Sequence, residues 1–168
     1  MKLSKLAIVL VVLFGSVGCD QVTKAVARQH LEGRGTISYL GDTVRLTYAE
    51  NHGAFLGIGS SLPEQTRTII FSGIVAVFLV GFLVWLLFSS TLTSKLSIVA
   101  SSLLIGGGFG NLIDRVLLNG GVTDFLNLGI GWLRTGIFNV ADIAIMAGAI
   151  LFAFSPDLHR PPDEEPPE

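Results

Sequence analysis

The chain has 168 residues, of which 50% are apolar and only 14% are charged, and its net charge is −2. A soluble domain would carry about 25% charged residues, so this composition, with a mean hydropathy of +0.66, indicates an integral membrane protein. A nucleic-acid partner usually requires a basic face, and none is expected here. One cysteine excludes an internal disulfide. The three histidines show no metal-ligand spacing, so no metal or other cofactor is expected.

Four apolar segments can be interpreted as membrane helices, since a span needs about 20 mostly apolar residues. Residues 68–88 and 96–113 carry no charge, and residues 137–154 carry only Asp142. The first apolar run, Leu6–Cys19, is short. It extends to Val26 if Asp20 and Lys24, four residues apart on one helical face, pair with each other. The sequence therefore predicts four transmembrane helices, at about 6–26, 68–88, 96–113 and 137–154.

The N-terminal segment leaves an alternative open. Lys2 and Lys5, the apolar run and Ser16-Val17-Gly18-Cys19 also resemble a secretory signal with a lipoprotein cleavage box. A chain cut there would be a lipoprotein anchored through Cys19. The three further apolar segments argue against this interpretation, as does Ser16 in place of leucine. We therefore expect Cys19 to be a small buried residue of the first helix.

The connection between helices 1 and 2 contains a predicted β segment. Residues 43–48 alternate polar and apolar side chains, the period of a half-buried strand. A second short strand, 36–40, precedes them across Gly41-Asp42, which is a hairpin signal. The apolar face of this small sheet is expected to rest on the membrane surface or on the helix bundle. The fold class is therefore an all-α membrane protein of four helices with a small β segment between helices 1 and 2.

The remaining segments complete one predicted domain, 1–155, followed by a tail. The connection 114–136 is rich in glycine, and the ring of Trp132 suits a water–lipid boundary. Four helices would put this connection on the same side of the membrane as the β segment. Residues 156–168 are rich in proline and acids, and we expect them to be disordered.

Two carboxylates suggest the chemistry. An acid inside an apolar segment, such as Asp142, costs roughly 2.5–3.5 kcal/mol to insert and is usually functional. Asp124 lies upstream, near the same membrane surface. Two carboxylates about 3 Å apart cannot both ionise, and such a pair can activate water and protonate a peptide carbonyl without a covalent intermediate. Ser101 and Ser102 lie two turns from the polar face, so neither is a convincing nucleophile. The pair therefore suggests a proteolytic mechanism.

Other polar side chains accompany the two acids. Asn139 and Asp142 are three residues apart on one helical face, and the end of helix 3 presents a second polar face, formed by Asn111, Asp114 and Arg115. Such residues can also simply join helices, which would suit a non-enzymatic scaffold. A proton or ion translocator using Asp142 as a relay is another alternative. It usually shows paired halves or broken helices, and neither is evident in this sequence.

The chain resembles the bacterial lipoprotein signal peptidases, also called signal peptidase II. Five blocks carry the resemblance and cover most of the chain in order: Asp20–Lys24, Asn51–Phe55, Gly107–Arg115, Val122–Phe125 and Phe138–Asp142. It implies an aspartic endopeptidase that removes signal peptides from diacylglyceryl-modified prolipoproteins, cutting before the lipidated cysteine. One departure is that Phe55 directly follows Ala54, where the family usually has another small residue.

The resemblance also implies roles for individual residues. The catalytic pair would be Asp124 and Asp142. The remaining matched positions would line the active site or support it: Asn51, Gly53, Asn111, Arg115 and Asn139 in the first group, and Asp20, Lys24 and Asp114 in the second.

The same resemblance implies a location and partners. It places the chain in the bacterial inner membrane, with both termini cytoplasmic and with the β segment and the site at the extracytoplasmic face. The balance of basic residues by itself contradicts the positive-inside rule for this orientation. The expected partners are prolipoprotein substrates and membrane lipid, and we expect the chain to be a monomer.

Overall fold

The computed structural model describes residues 3–52 and 63–158 as a helix bundle with a sheet at one end. The helices are α1 (Leu3–Leu31), α2 (Glu64–Phe88), α3 (Lys95–Leu117) and α4 (Val140–Ala153). The strands are β1 (Ile37–Tyr39), β2 (Val44–Asn51), β3 (Val122–Ile130) and β4 (Leu133–Arg134). Helix α3 is central, because it packs against each of the other three helices.

The helices occupy the four predicted apolar segments, but two of the bounds differ substantially. Helix α1 continues to Leu31 because the acid and the lysine in its second half are buried against α3. Helix α4 begins at Val140, not at 137, because Phe138 pairs with Leu126 of β3. In the described part of the chain, α1, α3 and residues 68–88 of α2 are long and apolar enough to cross a membrane. Helix α4 is an apolar helix of 14 residues.

Glycines on α3 allow the neighbouring helices to approach closely. A Cβ atom at Gly107 would lie 2.5 Å from the carbonyl oxygen of Ala141 on α4. At Gly106 it would meet Ser16 of α1, and at Gly110 it would meet Asp20 of α1 and Ala141. Helix α3 therefore contacts α1 and α4 along surfaces without side chains, as small residues allow in membrane bundles.

The sheet is larger than predicted. Strands β1 and β2 form the expected antiparallel hairpin, with Ser38 opposite Arg45. Strand β2 also pairs with β3, and β3 pairs with β4, giving the order β1-β2-β3-β4. The β segment expected between helices 1 and 2 is therefore present, and the connection between helices 3 and 4 adds two strands that were not predicted. The second connection supplies two strands because the free edge of β2 satisfies the backbone hydrogen bonds of β3.

The opposite end of the bundle is closed by two charged side chains. The ammonium of Lys5 donates to the carbonyl oxygens of Ser89 (2.8 Å) and Leu92 (3.4 Å), in the α2–α3 turn. The carboxylate of Asp157 accepts from the backbone N–H of Ser94, which caps α3. Residues 156–158 therefore form a short 3-10 helix, not the disordered start of a tail. The rest of the predicted tail lies outside the described residues.

Replacing Gly107 by alanine should destabilise the bundle. The added methyl group would meet backbone of α4, which cannot rotate away, so a loss of roughly 1–3 kcal/mol in the free energy of unfolding is expected. Gly81→Ala is the matched control, because a Cβ at Gly81 has nothing within 4 Å. Thermal unfolding of both variants in detergent measures the difference. Equal stability of the two variants would contradict the close α3–α4 contact.

Candidate active site

Asn139 contacts the carboxylates of both acids, Asp124 and Asp142. Its amide Nδ2 donates to Asp124 Oδ1 at 2.7 Å, while its backbone N–H donates to Asp142 Oδ2 at 3.1 Å. Its Oδ1 accepts from the backbone N–H of Asp142 at 3.0 Å, which completes a capping box at the start of α4. Asn139 is fully buried. One residue therefore caps a helix and holds the carboxylates of β3 and α4 in one place.

Asn139 reaches β3 because the segment before α4 is extended. The backbone of Phe138 exchanges hydrogen bonds with Leu126, each at 2.8 Å. This bridge places the beginning of α4 beside the strand that carries Asp124. It also explains why the apolar pattern from 137 onward is not all helix.

The carboxylate of Asp124 lies in a dry environment. Its side chain is only 3% exposed, and Oδ2 accepts a hydrogen bond from Asn51 Nδ2 at 2.9 Å. Burial raises the pKa of Asp124, the hydrogen bonds from Asn51 and Asn139 oppose this, and the nearby charge of Asp142 raises it further. The net direction is upward, so Asp124 keeps its proton to a higher pH than a free aspartate.

The carboxylate of Asp142 has different surroundings. It is partly exposed, and its Oδ1 accepts from Asn111 Nδ2 at 2.9 Å. It also lies in the first turn of α4, where the N-terminal end of a helix favours a negative charge. The two acids therefore differ: Asp124 is buried, whereas Asp142 is partly exposed in the first turn of a helix.

A buried ionic cluster holds this site to the bundle. Lys24 Nζ lies 2.9 Å from Asp20 Oδ2 and 3.5 Å from Asp114 Oδ2, and all three side chains are fully buried. Asp20 also accepts from the backbone N–H of Ala141 on α4 at 2.8 Å. Asp114 accepts from the backbone N–H of Thr123 on β3 at 2.8 Å. The cluster thus fixes both elements that carry the acids, and the predicted Asp20–Lys24 pair is present.

Two further polar residues of α1 join the cluster, and the sequence reasoning gave them no role. Arg28 Nη1 donates to Thr123 Oγ1 at 2.8 Å and lies 3.6 Å from Asp114. Gln21 Nε2 donates to the carbonyl oxygen of Gly110 at 3.0 Å. The available signal was spacing, because Arg28 is four residues beyond Lys24 on the same helical face.

Three other predictions have different outcomes. Gly53 and Phe55 lie outside the described residues. Arg115 is partly buried on α3, one turn after Asn111. Cys19, expected to be buried, is exposed on α1, so that prediction was wrong. Helix α1 is continuous through it, because Asp20 and Lys24 rather than Cys19 turn toward the bundle.

Among residues 3–52 and 63–158, no three His, Cys, Asp or Glu side chains gather as metal ligands. The site contains two acids at one end of an apolar helix bundle. Asp124 is buried and Asp142 is partly exposed, and both accept hydrogen bonds from asparagine amides. The fold and the site define an integral membrane aspartic peptidase.

Comparison with known proteins identifies the family. The family described as Signal peptidase (SPase) II matches residues 9–156. The chain is 34% identical to the lipoprotein signal peptidase of Caldicellulosiruptor bescii, covering 86% of this chain and 87% of that one. It is 33% identical to the lipoprotein signal peptidase of Streptococcus pneumoniae, covering 89% and 92%. The chain belongs to the signal peptidase II family, whose members remove signal peptides from prolipoproteins.

Solved structures agree with the fold. A bacterial membrane enzyme determined by the in meso method at 1.9 Å resolution aligns with a TM-score of 0.68 and 27% identity. The alignment covers 90% of each chain. A second bacterial membrane enzyme, determined at 2.3 Å, aligns with a TM-score of 0.65 over 98% of this chain.

Replacing Asn139 by serine should separate stability from activity. Serine keeps an oxygen that can cap α4, so stability should stay within about 1 kcal/mol of wild type. It loses the donor to Asp124, so the cleavage rate should fall about 100-fold or more. Asn139→Ala is the matched control that also loses the cap and should unfold at a lower temperature. Unimpaired cleavage by Asn139→Ser would contradict the role of the amide bridge.

Proposed function

We propose that Asp124 and Asp142 are the catalytic pair of this peptidase. The observation that carries the proposal is that one buried residue, Asn139, contacts both acids. Its side chain donates to the carboxylate of Asp124 on β3, and its backbone N–H donates to the carboxylate of Asp142 on α4. Asn51 and Asn111 supply further amide donors to the same two acids. Four amide contacts directed at two acids exceed what simple helix joining requires.

The contrast between the acids assigns their first roles. Asp142, which is partly exposed in the first turn of α4, takes a proton from water. Asp124, buried and with a raised pKa, donates its proton to the peptide carbonyl oxygen. Water adds to the carbonyl carbon, and the two acids then exchange roles so that the leaving amine receives a proton. No covalent enzyme intermediate forms.

The same site suggests how the substrate is held. Asp114 is engaged by Lys24 and Arg28, so the guanidinium of Arg115 is directed to a different acceptor, a backbone carbonyl of the substrate. Asn51 contributes its amide from β2, and Gly53 is proposed to line the site on the resemblance alone. The scissile bond is the one before the diacylglyceryl-modified cysteine, whose acyl chains stay in the bilayer beside the helices.

We further propose four membrane passes in one peptidase domain, residues 1–155. The 14 residues of α4 span about 21 Å, and the extended residues 137–139 add about 10 Å, which together match a hydrocarbon core of about 30 Å. The start of α1, the α2–α3 turn and the end of α4 lie at one end, joined by Lys5 and Asp157. Both chain termini would then be cytoplasmic and the site extracytoplasmic.

The outer end would hold more basic residues than the inner end. Four of them form ion pairs with three acids of the fold, Asp20, Asp42 and Asp114, and so serve a structural role: Lys24, Arg28, Arg45 and Arg134. We propose that the chain acts as a monomer on prolipoproteins within membrane lipid.

Asp124→Asn and Asp142→Asn should each abolish cleavage while leaving an inserted, folded protein. The amide cannot exchange a proton with water or the leaving amine, so the rate should fall by at least about 1,000-fold. The assay follows cleavage of a diacylglyceryl-modified precursor peptide by purified protein in lipid vesicles. Trp132→Ala is the control, because Trp132 is exposed at the β3–β4 turn and is not one of the two acids. This variant should cleave at close to the wild-type rate. Wild-type turnover in either acid variant would refute the assignment.

The orientation can be measured with single cysteines in a Cys19→Ala background. Trp132→Cys should react with a membrane-impermeant maleimide in intact spheroplasts, because Trp132 is 92% exposed at the proposed outer end. Lys95→Cys, exposed at the start of α3, should react only after the membrane is opened. The reverse labelling pattern would invert the proposed topology.

A further inference from the structure

Lys24 has a contact beyond its two ion pairs. Its Nζ donates to Asn111 Oδ1 at 2.8 Å, and this distance is as short as that to Asp20, at 2.9 Å. Together with Arg28, the lysine balances the two acids of the cluster, Asp20 and Asp114. A buried lysine is costly even when paired. The contact with Asn111 connects that buried charge to the site.

The contact fixes the orientation of an amide. Asn111 Oδ1 accepts from Lys24 and, at 3.1 Å, from Asn139 Nδ2, which leaves its Nδ2 to donate to Asp142 Oδ1 at 2.9 Å. The flipped amide would set N–H groups against an ammonium and carbonyl oxygen against a carboxylate. An asparagine amide presents a donor on one side and an acceptor on the other. The ammonium therefore decides that Asn111 offers a donor to Asp142.

We infer that Lys24 is a positioning residue for the reaction, acting on Asp142 through Asn111. By holding the amide donor toward Asp142, it keeps that carboxylate in position to take a proton from water. This inference rests on the proposed roles of the two acids. Lys24 is fully buried and is separated from Asp142 by Asn111, so it aligns the base without touching the substrate.

The charges around Asp142 show why the lysine matters. Asp124 faces it from β3, and two further carboxylates lie in the adjoining cluster, Asp20 on α1 and Asp114 on α3. The cations of that cluster are Lys24 and Arg28. Without the ammonium, Asp142 faces these carboxylates, and the acceptor side of the Asn111 amide keeps only the longer bond from Asn139. The acid limb of the pH–activity profile should then move to higher pH.

The test compares Asp20→Asn/Lys24→Met with Asp20→Asn. The double variant removes one buried charge of each sign, so the cluster stays balanced, whereas Lys24→Met alone would leave a buried carboxylate unpaired. Relative to Asp20→Asn, the double variant should lose about tenfold or more in kcat. Its KM for the lipid-modified peptide should change by less than about twofold, because Lys24 makes no substrate contact. Its acid limb should rise by about one pH unit.

Lys5→Met is the matched control. Lys5 is the other buried lysine of α1, but it bonds only carbonyl oxygens of the α2–α3 turn at the far end of the bundle. The Lys5→Met variant should unfold at a lower temperature than wild type, and the acid limb of its pH–activity profile should not shift. Lys24→Arg, which keeps the charge and N–H donors, provides a second test and should also retain the wild-type limb even if it is less stable.

Two results would overturn the inference. One is a double variant with the kcat and acid limb of Asp20→Asn, and the other is an equal shift of the limb in Lys5→Met or Lys24→Arg. Neither result touches the assignment of the dyad, which depends on the activity of Asp124→Asn and Asp142→Asn. Failure of the positioning role and failure of the proposed mechanism are therefore distinguishable.

Discussion

The buried amide of Asn139 is the contact on which the rest of the site depends. Two carboxylates repel each other and resist burial, so they stay together only where donors are held in fixed directions. Asn139 has such directions because its side chain caps α4 and the preceding residue, Phe138, pairs with Leu126 of β3. The cap is a local requirement of the helix, and the same side chain also donates to Asp124.

The ionic cluster around Lys24 fixes α4 and β3 against the helix bundle. Buried ion pairs contribute little net stability, because desolvation offsets their attraction. Their value here is positional. Asp20 binds the first turn of α4 and Asp114 binds the strand that carries Asp124, and both are held by one ammonium from α1. Breaking any one pair would leave an uncompensated charge beside an element that carries Asp124 or Asp142.

Several features followed from sequence pattern alone. Apolar runs located all four helices, and period-two alternation with Gly41-Asp42 located the β1–β2 hairpin. Strand β3 was missed, because five of its first six residues are buried and no alternation marks it. Cys19 was assigned to the interior although it faces outward. Composition does not report which side of a slightly amphipathic helix meets protein and which meets lipid.

The sequence by itself predicted the side chains that we propose to carry the chemistry and, through helical spacing, which of them share a face within one element. Only the tertiary structure decided that Asn51 and Asp124, 73 residues apart, and Asn139 and Asp124, 15 apart, are in contact. The physical reason is that periodicity is a property of a single helix or strand. The pairing of β2 with β3, and of Phe138 with Leu126, depends on backbone groups that every residue shares, so no side-chain pattern encodes it.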